Sequence, residues 1–376
     1  MYSPVLGNFK EFQITYSSFI HPLYKTVPLE YICETTNGVV SKFTFRIERI
    51  SSMVNGHTNL SIDEFLKEIV LKNSQHDSIT HQLGFIESIE RLYDISDLIS
   101  PMNNRLKMVL SEFERIQEHL TWFEELSTQM MLPFDNECQH LKNQLTKILG
   151  YFFNVKTNDL SPVIAVGIVE LNWDKEKNDH LQFVLSTYIK KVSYLRDKLL
   201  TSFKLKNYLF AVGIMDTSIA LKTGTVGPIA RASAIEQDLR IDDPYWDYLS
   251  FEFKLAQSFD QDLYGLVKVL LNEILVSLDI INSILKDEFM PQSQNVLSNV
   301  DNSLTGEHSI RLETSKGPAL YAIDCGENLM VNGFGFNAPS LTNLYSLETR
   351  LKGVPVDHIA RIIYAYNITD LSLMKS

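Results

Sequence analysis

The chain has 376 residues, 45% of them hydrophobic and 21% charged, which is enough apolar material for a large core and excludes a disordered class. A net charge of −12, with no compensating Lys/Arg cluster, argues against a nucleic-acid partner. The greasiest stretch, Leu263 to Leu285, is interrupted by Lys268, Asn272, Glu273, Asp279 and Asn282, so nothing reaches the run of about 18 apolar residues that spans a bilayer. The N-terminal residues MYSPVLGNFKEF lack the basic start, apolar run and small-residue cleavage site of a secretory signal, so a cytoplasmic chain is expected.

In chain order, residues 28–34 and 39–47 alternate around Asn37-Gly38, a pair suited to the positive φ angles of a tight hairpin turn. From Ser61 and Glu64, in capping-box spacing, the period becomes helical. Apolar residues three and four apart predict helices over about 61–71, 78–99, 103–131, 135–149, 179–202 and 262–287. In the third, Leu106, Val109, Leu110, Phe113, Ile116, Leu120 and Phe123 form one stripe. A short strand is expected at 163–170 and further strands at 309–313, 319–325 and 330–337, after a polar segment rich in Ser, Asn and Gln. The expected fold is α+β, mainly α: an N-terminal β region (1–60), a core bundle of long helices (61–289), a polar linker (290–308) and a C-terminal α/β section (309–376), together one compact domain.

Cys33, Cys138 and Cys325 lie far apart and none sits in a C-x-x-C pair, so zinc sites, iron–sulfur clusters and disulfide frameworks are disfavoured. Asp77 and His81 are four apart and could share a helix face as metal ligands; two ligands do not suffice, and a buried His bonded within the core is the simpler expectation. The densest mixture of charge and small residues is Gly227-Pro-Ile-Ala-Arg-Ala-Ser233, followed by Asp238, Arg240 and Asp242-Asp-Pro-Tyr245. Small residues allow close backbone approach, and an Arg among them can fork onto a carboxylate or onto a ligand oxygen. The residues alone favour the Arg–Asp clasp over ligand binding.

That segment, 224–245, resembles the signature loop shared by the quinone-site subunit of complex I and the large subunit of nickel–iron hydrogenases. Other pieces agree in order. His21-Pro22 with Pro28 resembles the family's N-terminal His-Pro motif. Glu112, Arg115 and His119-Leu120 resemble its Glu-Leu-x-Arg-x-x-x-His-Leu helix. Asp262, Glu273 and Ser277-x-x-Ile280-Ile281 resemble the long helix after the loop, and Ala338-Pro339-Ser340 with Asn343-Leu344 resembles a late Ala-Pro-Ser segment. The resemblance covers about residues 20–365 and implies a hydrogenase-large-subunit-like fold.

This is a divergent member. Two positions that carry metal-ligating cysteines in hydrogenases read Ser74 and Asp77, ahead of the helix His, His81, and no cysteine follows Cys325. The two quinone-contacting positions of complex I members read Lys25 and Gln75. An expected Asp-Arg pair after Asp262 is Gly265-Leu266, a later Arg is Leu270, and Arg-Gly-Glu reads Lys316-Gly317-Pro318. The resemblance implies a peripheral subunit on the cytoplasmic face of the membrane in an NADH- or ferredoxin-fed, ion-translocating oxidoreductase, with no nickel–iron centre of its own. Its partners would be an iron–sulfur subunit, other peripheral-arm subunits and antiporter-like membrane subunits. This chain would bind no cofactor itself; clusters would lie in those partners, quinone is one candidate acceptor, and the resemblance leaves donor and acceptor open. The implied cavity is lined by His21, Lys25, Gln75, His76, Asp77, His81 and Arg231, framed by Glu112, Arg115, His119, Asp238, Arg240 and Asp262. Two alternatives are a non-catalytic scaffold or assembly subunit and a repurposed small-molecule or metal enzyme.

Overall fold

The structure, a computed structural model, describes residues 12–17, 29–47, 56–74, 76–129, 131–156, 158–161, 163–297, 300 and 303–368. Strands β1 (Phe12–Ser17), β2 (Leu29–Thr36) and β3 (Val39–Ile47) form an antiparallel meander. Asn37 and Gly38 turn its second hairpin with φ of 52° and 77°, the left-handed values that a two-residue loop between right-twisted strands requires. Cys33, Val40 and Phe43 are buried on one face, and Val40 exchanges backbone hydrogen bonds with Gly353 and Val354 near the C-terminus.

Strand β4 (Gly56–Ser61) runs into a helical turn, α1 (Ile62–Glu64), through the expected Ser61–Glu64 capping box, and then into a π-helical stretch, Phe65–Leu71. The body is built from α2 (Ser78–Leu92), α3 (Pro101–Gln129), α4 (Asp135–Phe153), α5 (Lys175–Leu200) and α10 (Leu263–Lys286). Helix α3 packs on α4 and α10, and α10 packs on α5, so the 3.6-residue stripes meet in one apolar interior. A small sheet of β5 (Ile164–Ala165), β6 (Ile168–Val169) and β7 (Gln294–Asn295) bends back at Gly167 where the sequence predicts a single strand.

Between α5 and α10 the chain makes four short helices: α6 (Phe203–Leu209), α7 (Thr217–Lys222), α8 (Gly227–Ala232) and α9 (Leu239–Asp242). The C-terminal strands β8 (Gly306–Thr314), β9 (Gly317–Gly326) and β10 (Met330–Asn337) pair with β4 in the order β4-β10-β9-β8, all antiparallel. Helices α11 (Pro339–Leu351) and α12 (Ile359–Ala365) end the described chain. The architecture is α+β, mainly α, as the periodicities predict. Helix α2 lies across β8 and β9 so closely that a Cβ on Gly84 would stand 2.7 Å from the Tyr321 ring.

Candidate functional site

The signature segment folds into α8, α9 and the turns around them, and its two arginines point inward. Arg231 is fully buried. Its Nε donates to Glu273 Oε1 at 2.7 Å and its Nη1 to Glu313 Oε1 at 2.9 Å and the Gln237 carbonyl at 2.9 Å, with Asp238 Oδ2 at 3.3 Å. Its Nη2 has no hydrogen-bond partner among the described residues. Arg240 forks onto Asp238, with Nε to Oδ1 at 2.9 Å and Nη2 to Oδ2 at 2.7 Å, while its Nη1 reaches both Glu112 oxygens at 3.0 and 3.1 Å. Arg115 completes the set: Nε donates to Glu112 at 3.3 Å, and Nη1 and Nη2 donate to the carbonyls of Thr314 and Glu313 at 2.6 and 2.7 Å. Glu112 also accepts from the hydroxyls of Tyr248 and Ser277, each at 2.5 Å.

Three buried guanidinium groups thus face Glu112, Asp238, Glu273 and Glu313, and His119 Nε2 donates to the remaining oxygen of Glu273 at 2.7 Å. The carboxylates differ in their hold on a proton. Burial opposes ionisation of Glu273, but Arg231 and His119 outweigh it and bring its pKa down to about 2. Glu313 is pushed up to about 7 by burial and by Asp238, which outweigh Arg231. The network therefore contains one carboxyl group poised near neutrality among three that stay charged.

A second line of buried polar groups follows the α2–α3 seam. At its first end Asp77, with φ of 51°, precedes α2; its carboxylate accepts from Lys316 Nζ at 2.7 Å and from the Ser315 N–H at 3.0 Å. Burial opposes the charge on Asp77, and Lys316 reverses that and holds the carboxyl well below the usual range. His76 Nδ1 lies 2.7 Å from Glu118 Oε2; burial disfavours the imidazolium, yet Glu118 raises its pKa above the ordinary value. One turn on, Glu114 accepts from the N–H groups of Ile79 and Thr80 at 2.6 and 2.7 Å, capping the first turn of α2. Farther along, Lys107 Nζ bridges Glu90 and Glu87 at 2.5 and 3.1 Å, and Trp246 Nε1 donates to Glu87 at 3.0 Å.

His81, expected beside a cavity, is packed against Tyr321 and Phe336, with Nδ1 2.8 Å from the Tyr321 hydroxyl; burial drives its pKa down to about 4. Asp262 caps α10, accepting from Gly265 N–H at 2.8 Å, and also from Ala211 N–H at 2.7 Å. The structure therefore joins Glu112, Arg115, His119, Arg231, Asp238 and Arg240 in one network, places His76 and Asp77 together on the neighbouring seam, and sets His81 and Asp262 apart. His21, Lys25 and Gln75 lie outside the described residues. Sequence reasoning missed Glu87, Glu90, Lys107, Glu114, Glu118 and Glu313 as network members. Their charges on helix and strand faces read as solvated until the facing element is known, although Glu112, Arg115 and His119 at i, i+3, i+7 beside the apolar stripe of α3 mark that face as inward.

The two networks meet at the β8–β9 turn. Gly227, with φ of +65°, begins α8 directly against it: a Cβ there would stand 2.0 Å from the Lys316 carbonyl oxygen. A cleft of about 30 Å³, bordered by His119, Trp122, Ser315, Lys316, Asn343 and Tyr366, lies beside the junction and has room for roughly one water molecule.

The family model for the 49 Kd subunit of respiratory-chain NADH dehydrogenase matches residues 159–370, which contribute Arg231, Asp238, Arg240, Glu273 and Glu313 to the network. The chain belongs to this family. Among curated proteins, a D-type subunit of NADH-quinone oxidoreductase from Salinispora tropica is 25% identical over 330 residues, covering 79% of this chain and 77% of that protein. The D-type subunit from Geotalea uraniireducens is 22% identical and covers 90% of this chain and 93% of its own length. A carbon monoxide-induced hydrogenase of Rhodospirillum rubrum is 21% identical over 271 residues, covering 71% of this chain and 73% of that protein. The 49 Kd family thus accounts for the resemblance carried by the signature segment. Among the described residues, no helix is long and apolar enough to cross a membrane.

Proposed function

We propose that this chain is a peripheral subunit of a membrane-associated, ion-translocating oxidoreductase related to complex I, of the quinone reductase type, or to energy-converting hydrogenases. In this reading it helps form an acceptor and coupling cavity beside an iron–sulfur subunit. The observation that carries the reading is that the matched family segment supplies two of the three arginines and three of the four carboxylates of the buried network, and α3 supplies Arg115 and Glu112. Relatives named as subunits of NADH-quinone oxidoreductase support the placement. His21, Lys25 and Gln75 would line the cavity together with His76, Asp77 and the Lys316 end of the seam. Arg231 would hold its wall from behind, because its carboxylate partners are internal.

The residues do not fit a nickel–iron centre. Ser74 Oγ donates to the Val70 carbonyl, the Asp77 carboxylate is taken by Lys316 and Ser315, and the three thiols are pushed by burial to pKa values of about 11 for Cys33, 12 for Cys138 and 11 for Cys325, away from the thiolate form that binds metal. Electron transfer would therefore use iron–sulfur clusters of partner subunits.

A second reading, a scaffold or assembly subunit without part in turnover, is favoured by the internal pairing of both Arg231 and Asp77. The test is to tag the chain in its native host, purify in mild detergent and identify stoichiometric partners by mass spectrometry. An iron–sulfur subunit with antiporter-like membrane proteins is expected; a chain that purifies alone overturns the proposal. In the assembled complex, His21→Ala and Lys25→Met should abolish reduction of a short-chain ubiquinone. Full turnover by both variants would leave only the scaffold.

A further inference from the structure

Far from the charge networks, α4 and α5 run antiparallel on the surface, registered by Tyr188 OH on the Leu141 carbonyl at 3.3 Å and Lys191 Nζ on Gln144 Oε1 at 3.2 Å. Between them lies an open groove of about 480 Å³. Its walls repeat with helical spacing: Gln144, Lys147, Ile148 and Tyr151 on α4, and His180, Phe183, Val184, Thr187 and Lys191 on α5. From His180 to Lys191 the groove extends about 16 Å, or three turns of an α-helix. The aromatic end is notably exposed, Phe183 at 72% and Tyr151 at 68%, with Tyr151 and Phe152 set edge-on to His180. The other end carries Lys147 and Lys191, neither in an ion pair among the described residues, and no carboxylate lines the groove of a chain whose net charge is −12.

We propose that this groove receives an amphipathic helix of a partner polypeptide, with an apolar stripe at i, i+3, i+4 and i+7 on the aromatic end and carboxylates over Lys147 and Lys191. A groove three turns long, with Ile148, Tyr151, Phe183 and Val184 as its apolar wall residues at helical spacing, matches the helix-in-groove mode of recognition. The cationic end of the groove, on a chain that is otherwise anionic, sets both the sign of the partner's charge and the direction in which its helix lies. The inference is independent of whether the complex reduces a quinone.

The test places the photo-crosslinking residue benzoylphenylalanine at Phe183, in the full chain expressed in its native host, and identifies the crosslinked peptide by mass spectrometry. Expected is one dominant peptide with apolar residues at helical spacing and at least two carboxylates. It should be absent when the crosslinker is at Leu249, an exposed residue outside the groove. The double substitution Lys147→Glu/Lys191→Glu should lower the yield about tenfold, and replacing the partner's carboxylates by lysines should restore it. Unchanged urea unfolding of the double variant confirms that the fold is intact. The proposal is overturned by no crosslink, by crosslinks to lipid or to a second copy of this chain, by a peptide without carboxylates, or by a yield insensitive to charge reversal.

Discussion

Lys107 offers a direct measure of how far the α2–α3 seam depends on complete pairing. Its ammonium is buried, 1% exposed, between Glu90 and Glu87. Lys107→Met keeps the length of the side chain and removes the charge. Glu87 retains Arg91 and Trp246, whereas among the described residues Glu90 retains only the Gly167 N–H. Breaking a buried pair from one side costs roughly 3–5 kcal/mol. Burial already raises the Glu90 pKa, so Glu90 will take up a proton rather than stay charged, which sets the loss near the lower end, about 3 kcal/mol. With a urea slope of about 1–3 kcal/mol per molar, the midpoint should fall by about 1–3 M. Urea-dependent proteolysis of the tagged chain in lysate reads this without large-scale purification. Lys107→Met/Glu90→Gln should recover about half the loss, because the uncompensated carboxylate is gone. A loss below about 1 kcal/mol, or a double variant as unstable as the summed single variants, refutes the reasoning.

Gly227→Ala drives a Cβ into the Lys316 carbonyl and should cost more than about 3 kcal/mol, whereas Gly224→Ala, at the same φ of +65° but with open space around it, should cost about 1–2; soluble yield and urea midpoint separate the two. His81 is neutral in the fold down to about pH 4 but titrates near 6.5 when unfolded. Its contribution is complete above pH 6.5 and is lost as the pH falls toward 4, up to about 3 kcal/mol, and His81→Phe should flatten that limb of a stability–pH curve. Arg240→Lys keeps the charge but loses the fork onto Asp238, and a thermal melt should show a loss of about 1.5–3 kcal/mol.

The long helices were legible because burial imposes its period on them: α3 and α10 lie within two residues of their expected limits at both ends. Local chemistry also read true where it is self-contained, as at Asn37-Gly38 and in the Ser61–Glu64 box. The expected helix 78–99 stops at Leu92, where the backbone turns at Asp94 with φ of 55°, because the apolar period runs on through Ile95 and Ile99 while the hydrogen-bond ladder does not. Helices of four to seven residues such as α8 and α9 hold too few periods to be seen. In the network, Arg231 and Arg240 were visible through the small residues around them. Glu313 and Lys316 were not, since their roles arise from packing a C-terminal turn on α8 and α2, across more than eighty residues of chain.

The crossing of Gly227 and Gly317 gives the molecule a point with no freedom to drift. Charges along the seam can be exchanged as sets, since Lys107 with Glu87 and Glu90 can give way together to apolar side chains of similar volume. A contact of backbone on backbone has no such compensating partner: the Gly227 Cα lies 3.0 Å from the place a Gly317 Cβ would occupy. Arg231, Glu273 and Glu313 could likewise be exchanged together, whereas neither glycine can gain a side chain while the other backbone stays in place. The two glycines thus fix where the β8–β9 turn meets α8, whatever charges surround the crossing.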